Sequence, residues 1–88
     1  MFIELQTTPF TRSIQCNGRT TFQLIGTLGT EEIVFEQPSG SGTWVPIVIE
    51  DEGIKLTVTN TMVTVVYPAL IRVNKPTTAS NAGVQLVS

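Results

Sequence analysis

Arg12-Ser13-Ile14-Gln15-Cys16-Asn17-Gly18-Arg19-Thr20-Thr21-Phe22-Gln23-Leu24-Ile25-Gly26 is the stretch on which the fold turns. Two extended runs, residues 12–16 and 19–26, flank Asn17-Gly18. Asn-Gly between such runs is a strong hairpin signal, because a type I′ turn needs positive φ at both central positions. The dipeptide therefore predicts that the two runs are antiparallel neighbours. Within the second run Phe22 and Leu24 share a face, and a strand's period of two assigns that face to the core.

The same rhythm continues in both directions. Residues 2–5 read as a short first strand, closed by Thr7-Thr8-Pro9. After the turn at Thr27-Leu28-Gly29-Thr30, residues 31–37 place Ile33 and Phe35 on one face and Glu32, Val34 and Glu36 on the other. Pro38-Ser39-Gly40-Ser41-Gly42 is a run of turn formers. Residues 43–49 carry Trp44 and an internal Pro46, which marks an edge strand or an interrupted one. Past the acidic turn Glu50-Asp51-Glu52-Gly53, residues 54–59 alternate Ile54, Leu56 and Val58 with Lys55, Thr57 and Thr59. Residues 62–67 and 70–75 follow, with Ile71 and Val73 facing away from Arg72 and Asn74. A small-residue loop, 76–82, leads to a last strand at 83–87 with Val84 and Leu86 inward.

Seven or eight short strands with turn signals between them, and no helical period, predict an all-β chain: a single small antiparallel β-sandwich, Ig-like in its simplest form. No Cys…Trp…Cys pattern is present, which excludes the disulfide-bonded antibody type. Residues 18–88 hold the sandwich, and residues 1–17 are a docking arm or its first strands.

Composition agrees. Thr, Val and Ile, the β-branched types suited to a pleated surface, supply 32 of the 88 residues. Charged residues are 14% of the chain against roughly 25% in ordinary domains. A surface this poor in charge is either partly covered by other copies or by another protein, or belongs to a small Thr-rich β domain that is simply soluble. The net charge of −2 carries no electrostatic footprint for nucleic acid. The N-terminus lacks the pattern of a secretory signal, and no apolar run approaches a membrane span.

Chemistry is hard to place on this chain. Histidine is absent, so a nucleophile would need Lys55, Lys75 or a carboxylate as its base, and nothing in the spacing puts one beside Ser13, Ser39, Ser41 or Cys16. Cys16 reads as a small hydrophobe. Glu50-Asp51-Glu52 lacks the alternating spacing of a calcium loop and reads as a solvated turn. No enzyme activity, cofactor or metal is expected. Two constellations remain open. Trp44 and Tyr67 are a sugar-stacking platform or core aromatics. Arg12, Arg19, Arg72 and Lys75 form a loose basic set that solvation or a protein contact accounts for.

Several phrases carry a family resemblance: Thr21-Phe22-Gln23-Leu24-Ile25-Gly26-Thr27-Leu28-Gly29, Glu32-Ile33-Val34-Phe35-Glu36-Gln37, the Ser39-Gly40-Ser41-Gly42 turn running into Thr43-Trp44-Val45-Pro46, and Pro68-Ala69-Leu70-Ile71-Arg72-Val73. In this order, residues 18–87 resemble the small Ig-like β-sandwich virion proteins of tailed bacteriophages. The resemblance implies a structural role in the virion, as a capsid decoration or cement protein made in the host cytoplasm. Its partners would be the major capsid protein and further copies of itself. Phe2, Ile3, Leu5 and Phe10, large apolar groups near one terminus, are the candidate docking residues, or else an ordinary first strand. A carbohydrate- or host-surface-binding module using Trp44 and Tyr67, and a tail or neck component, are the alternatives.

Overall fold

The computed structural model describes residues 2–49, 52–66 and 68–87, and every regular element among them is a β-strand. In chain order these are β1 (Ile3–Gln6), β2 (Phe10–Asn17), β3 (Thr20–Gly26), β4 (Ile33–Pro38), β5 (Trp44–Pro46) and β6 (Val48–Ile49). β7 (Glu52–Gly53), β8 (Lys55–Leu56), β9 (Met62–Val65), β10 (Pro68–Lys75) and β11 (Ala82–Leu86) complete the set. A four-stranded sheet runs β1-β11-β3-β9. A five-stranded sheet runs β2-β10-β4-β5, with β8 also on β4, and β6 and β7 form a small ribbon of their own.

Leaving out the two-residue strands, the others pair from the outside inward. β1 lies on β11, β2 on β10, β3 on β9 and β4 on β5, all antiparallel. The chain is one long ribbon whose tip is the Ser39–Gly42 turn. Ser39 N–H donates to the Thr43 carbonyl there (2.7 Å), and Gly42 takes the positive φ (85°) that favours glycine. Rolling the ribbon up brings β11 against β3 and β10 against β4 as well. This is the strand order of a jelly roll.

The antiparallel sandwich is the one expected from the strand pattern, but its order corrects the Ig-like expectation. In the immunoglobulin order consecutive strands often share a sheet; here β1, β2, β3 and β4 alternate between the two sheets. The Asn17-Gly18 hairpin is corrected with it. Gly18 does take positive φ (131°), yet the turn carries the chain across to the opposite sheet, where β3 pairs with β11 and β9. A tight turn serves a corner between sheets as well as a hairpin, and its residues do not encode which.

Two further strands are shorter than their alternation suggests. Residues 43–49 break after Pro46, and β6 turns away to pair with β7. Residues 54–59 keep only β8, because the Thr57 hydroxyl accepts from the N–H groups of Thr59 and Asn60 and starts a turn. Val58 is consequently turned out to solvent.

The core lies between the sheets. Phe22 sits at its centre with Phe2 and Phe35 edge-on to either side, at ring separations of 5.8 and 4.9 Å. Ile33, Ile71, Val73 and Val84 close around them on the faces that the alternation assigns inward, and the free thiol of Cys16 is buried among them. Where β1 crosses β11, the backbones approach so closely that a Cβ on Gly83 would stand 2.5 Å from the Ile3 carbonyl oxygen. The β1–β11 register is irregular at this crossing.

At one end of the sandwich the core is closed by a charge. Lys75, the last residue of β10, is fully buried. Its Nζ donates to the Thr8 carbonyl (2.8 Å), the Pro76 carbonyl (3.0 Å) and Thr78 Oγ1 (3.2 Å). Thr78 in turn donates to the Ser80 carbonyl, and its N–H reaches the Thr7 carbonyl. One ammonium thus ties the β1–β2 loop to the β10–β11 loop. Burial pulls its pKa below the usual lysine value, with the Glu31 carboxylate opposing.

Candidate functional site

The two sheets divide the charges unequally. The strands of the four-stranded sheet contain a single charged residue, Glu4, on the β1 edge. The strands of the other sheet contain Arg12, Glu36, Lys55, Arg72 and Lys75. Because Phe22, Val63 and Val84 point inward, the alternate positions Thr21, Gln23, Ile25, Met62, Thr64 and Gln85 form an outer face. Across β3, β9 and β11 that face has no charge, with the exposed Glu4 of β1 at its margin, whereas soluble surfaces are commonly about a quarter to a third charged.

Its polar side chains are engaged with one another. The Thr21 and Thr64 hydroxyls, opposite across β3 and β9, lie 3.0 Å apart in a hydrogen bond. Gln85 Nε2 donates to Gln23 Oε1 (2.7 Å) across β11 and β3. Each of these cross-strand pairs satisfies one donor and one acceptor within the sheet. Covering this face would bury none of the charged groups, and the remaining amide and hydroxyl groups would be met by hydrogen-bond partners on the covering surface. Met62, 47% exposed, adds an apolar contact at the β9 edge.

The opposite face carries a compact charged cluster. Glu36 and Arg72 are paired in register across β4 and β10. The Glu36 carboxylate accepts from Arg72 Nε (2.9 Å) and lies 2.8 Å from Nη2. The Arg72 guanidinium also stands 4.9 Å over the ring of Trp44, which β5 holds on the same face beside Pro38. Trp44 is therefore a half-buried surface aromatic and not a core residue. The sequence is ambiguous here because Trp44, Pro46 and Val48 alternate with Val45, Ile47 and Ile49, and both series are apolar.

The residues singled out by sequence are dispersed. Phe2 and Ile3 lie in the core, Phe2 under the Arg12 guanidinium at 5.0 Å. Leu5 and Phe10 are 45% and 44% exposed. Tyr67 and the Glu50-Asp51 part of the acidic turn lie outside the described residues. The four basic residues do not converge: Arg72 faces Glu36, Lys75 is interior, and Arg12 donates to the Phe2 carbonyl (2.9 Å). Arg12, Phe2, Gln85 and Leu86 line a shallow open pocket of about 330 Å³. Among the described residues no group of three or more Cys, Asp or Glu could hold a metal, and no helix is long and apolar enough to cross a membrane.

Sequence patterns alone do not single out the uncharged face or the Glu36–Arg72–Trp44 cluster. The first leaves a detectable signal: residues 20–26, 62–65 and 82–86 hold no charged residue at all. The second depends on β4 lying beside β10, which no local pattern encodes. No protein family, no curated protein and no solved structure matches this chain.

Proposed function

We propose that this protein is a non-enzymatic virion component that decorates a phage capsid, docking on major capsid protein subunits through the outer face of its four-stranded sheet. The observation that carries the reading is the face of Thr21, Gln23, Ile25, Met62, Thr64 and Gln85 on β3, β9 and β11, which has no charge and carries two cross-strand hydrogen bonds. Covering it buries no charge, which avoids the largest desolvation cost. The resemblance of residues 18–87 to phage virion proteins supports the choice of partner. The jelly-roll order also supports it, as an architecture used by viral capsid domains. Fold alone does not assign function, and lectin domains use the same architecture.

The test is co-sedimentation with intact virions and with emptied heads. The wild-type chain is expected to pellet with both. Ile25→Lys/Met62→Lys, which puts two cations on the docking face, is expected to weaken binding by about tenfold or more. Wild-type protein that stays in the supernatant, or a double variant that binds as tightly as wild type, refutes the reading.

A carbohydrate- or host-surface-binding role is the second reading, and the Trp44–Arg72–Glu36 cluster favours it. An aromatic ring beside a fixed guanidinium–carboxylate pair offers a sugar both a stacking surface and hydrogen-bond partners. Titration with a panel of monosaccharides and short oligosaccharides, followed by Trp44 fluorescence, separates the two. Saturable quenching that Trp44→Phe abolishes supports this second role, and an unchanged spectrum removes it.

A further inference from the structure

The sandwich has open sheet edges, and among the described residues all but one are blunted. An exposed edge is a row of unpaired N–H and C=O groups that templates pairing with another strand, so proteins shorten, bulge or interrupt it. β1 is a four-residue strand with an irregular register. β9 also has four residues. β5 has three and ends in Pro46, and β8 beside it has two. β2 is different. It spans eight residues, contains no proline, and pairs along its whole length with β10 without a bulge. Its first four residues are all exposed. Its only charged residue, Arg12, is held by Phe2 of its own chain through the 2.9 Å bond to the Phe2 carbonyl and the 5.0 Å stack on the ring.

We infer that β2 is a dimerisation edge, on which the β2 strand of a second copy adds antiparallel to join two five-stranded sheets into one. The strand's own sequence argues for this occupant. A two-fold axis normal to the sheet keeps outer faces outward, so residues opposite each other must lie on the same face. That restricts the pairing to registers centred on a residue, and those centred on Ser13 or Ile14 give the longest overlap along Phe10–Asn17. With Ser13 on the axis, Thr11 meets Gln15 and Arg12 meets Ile14 of the second copy. With Ile14 on the axis, Ser13 meets Gln15 and Arg12 meets Cys16. Neither register sets Arg12 against itself, so no like charges oppose each other. Polar residues meet on the outer face in both cases. Dimerisation at this edge is independent of capsid docking, which uses the other sheet.

Sedimentation velocity of the isolated chain tests it, alongside Ser13→Lys/Gln15→Lys. Both positions are exposed on the outer face of β2, so circular dichroism should report an intact fold. The double variant sets lysine against lysine in either register. Wild type is expected to be a dimer at about 0.1 mM, and the double variant to raise the dissociation constant at least about tenfold. Thr30→Lys/Thr77→Lys, which adds the same charge at exposed positions outside the strands, is expected to dimerise like wild type. A monomeric wild type, a double variant that still dimerises, or a control that dissociates equally would overturn the inference. Because this assay contains no capsid, its outcome is read separately from the co-sedimentation test.

Discussion

Phe22→Ala is expected to leave this domain on the edge of unfolding. Phe22 has no exposed surface and is flanked edge-on by Phe2 and Phe35 at 5.8 and 4.9 Å. Truncating a buried phenylalanine costs about 3–5 kcal/mol through lost transfer energy and the residual cavity. Each aromatic pair contributes about 0.5–1.5 kcal/mol beyond area burial. At roughly 0.05–0.15 kcal/mol per residue, a chain of this length has a total stability of about 4–13 kcal/mol. The loss is thus a third or more of the whole. Urea titration at constant m should show the midpoint fall accordingly. Phe10→Ala, at an exposed position, should change stability by no more than about 0.5 kcal/mol. A Phe22→Ala loss as small as that would mean the three-ring stack is not part of the folded protein.

Lys75 is the second sensitive position, and there the comparison of two substitutions is informative. Lys75→Met keeps most of the apolar stem and removes the buried charge, but leaves the Thr8 and Pro76 carbonyls without their donor. Orphaned acceptors cost about 1–3 kcal/mol each, and relief of the ammonium's desolvation offsets part of this. A net loss of about 1–3 kcal/mol is expected. Lys75→Ala adds a cavity and should bring the loss to about 3–5 kcal/mol. The pH dependence has a definite sign. Burial holds the folded-state pKa below that of the unfolded chain. Below the folded value both states carry the proton and Lys75 adds no slope. Between the folded value and 10.5 the unfolded state binds more protons, so stability rises with pH. Wild type should therefore gain on Lys75→Met as pH rises through that window. A constant difference between the two proteins would exclude a depressed lysine pKa.

Period-two alternation makes most of the core legible in the sequence. Ile33 and Phe35, Ile71 and Val73, and Phe22 are buried on the faces it assigns. Where the sequence misleads about strand pairing, alternation and turn chemistry are local, while the partner of a strand is not. Asn17-Gly18 announces positive φ, which Gly18 has, and still misdirects about what β2 and β3 touch. Trp44 stays undecided between core and surface on sequence grounds because neither alternating series around Pro46 is polar enough to declare its side. The Glu36–Arg72 pair joins residues 36 positions apart, and only the rolled topology brings them together. The uncharged sheet face is a milder case, since the lack of charge in its segments is visible in the sequence but their shared face is not.

The nested pairing also orders events in time. Ser39 and Thr43 close the ribbon's tip locally, whereas the outermost pair joins Ile3 to Val84. Closing a long loop is entropically costly until the strands inside it have already met. Assembly is therefore expected to proceed as a zipper from β4–β5 outward, with the pairing of β1 and β11 last. The four-stranded sheet joins the second pair from the tip, β3–β9, to the outermost, β1–β11, so in this order it is finished only when the rest of the molecule is in place. A chain still folding never presents that uncharged face whole, so it has no completed adhesive surface with which to stick to its neighbours.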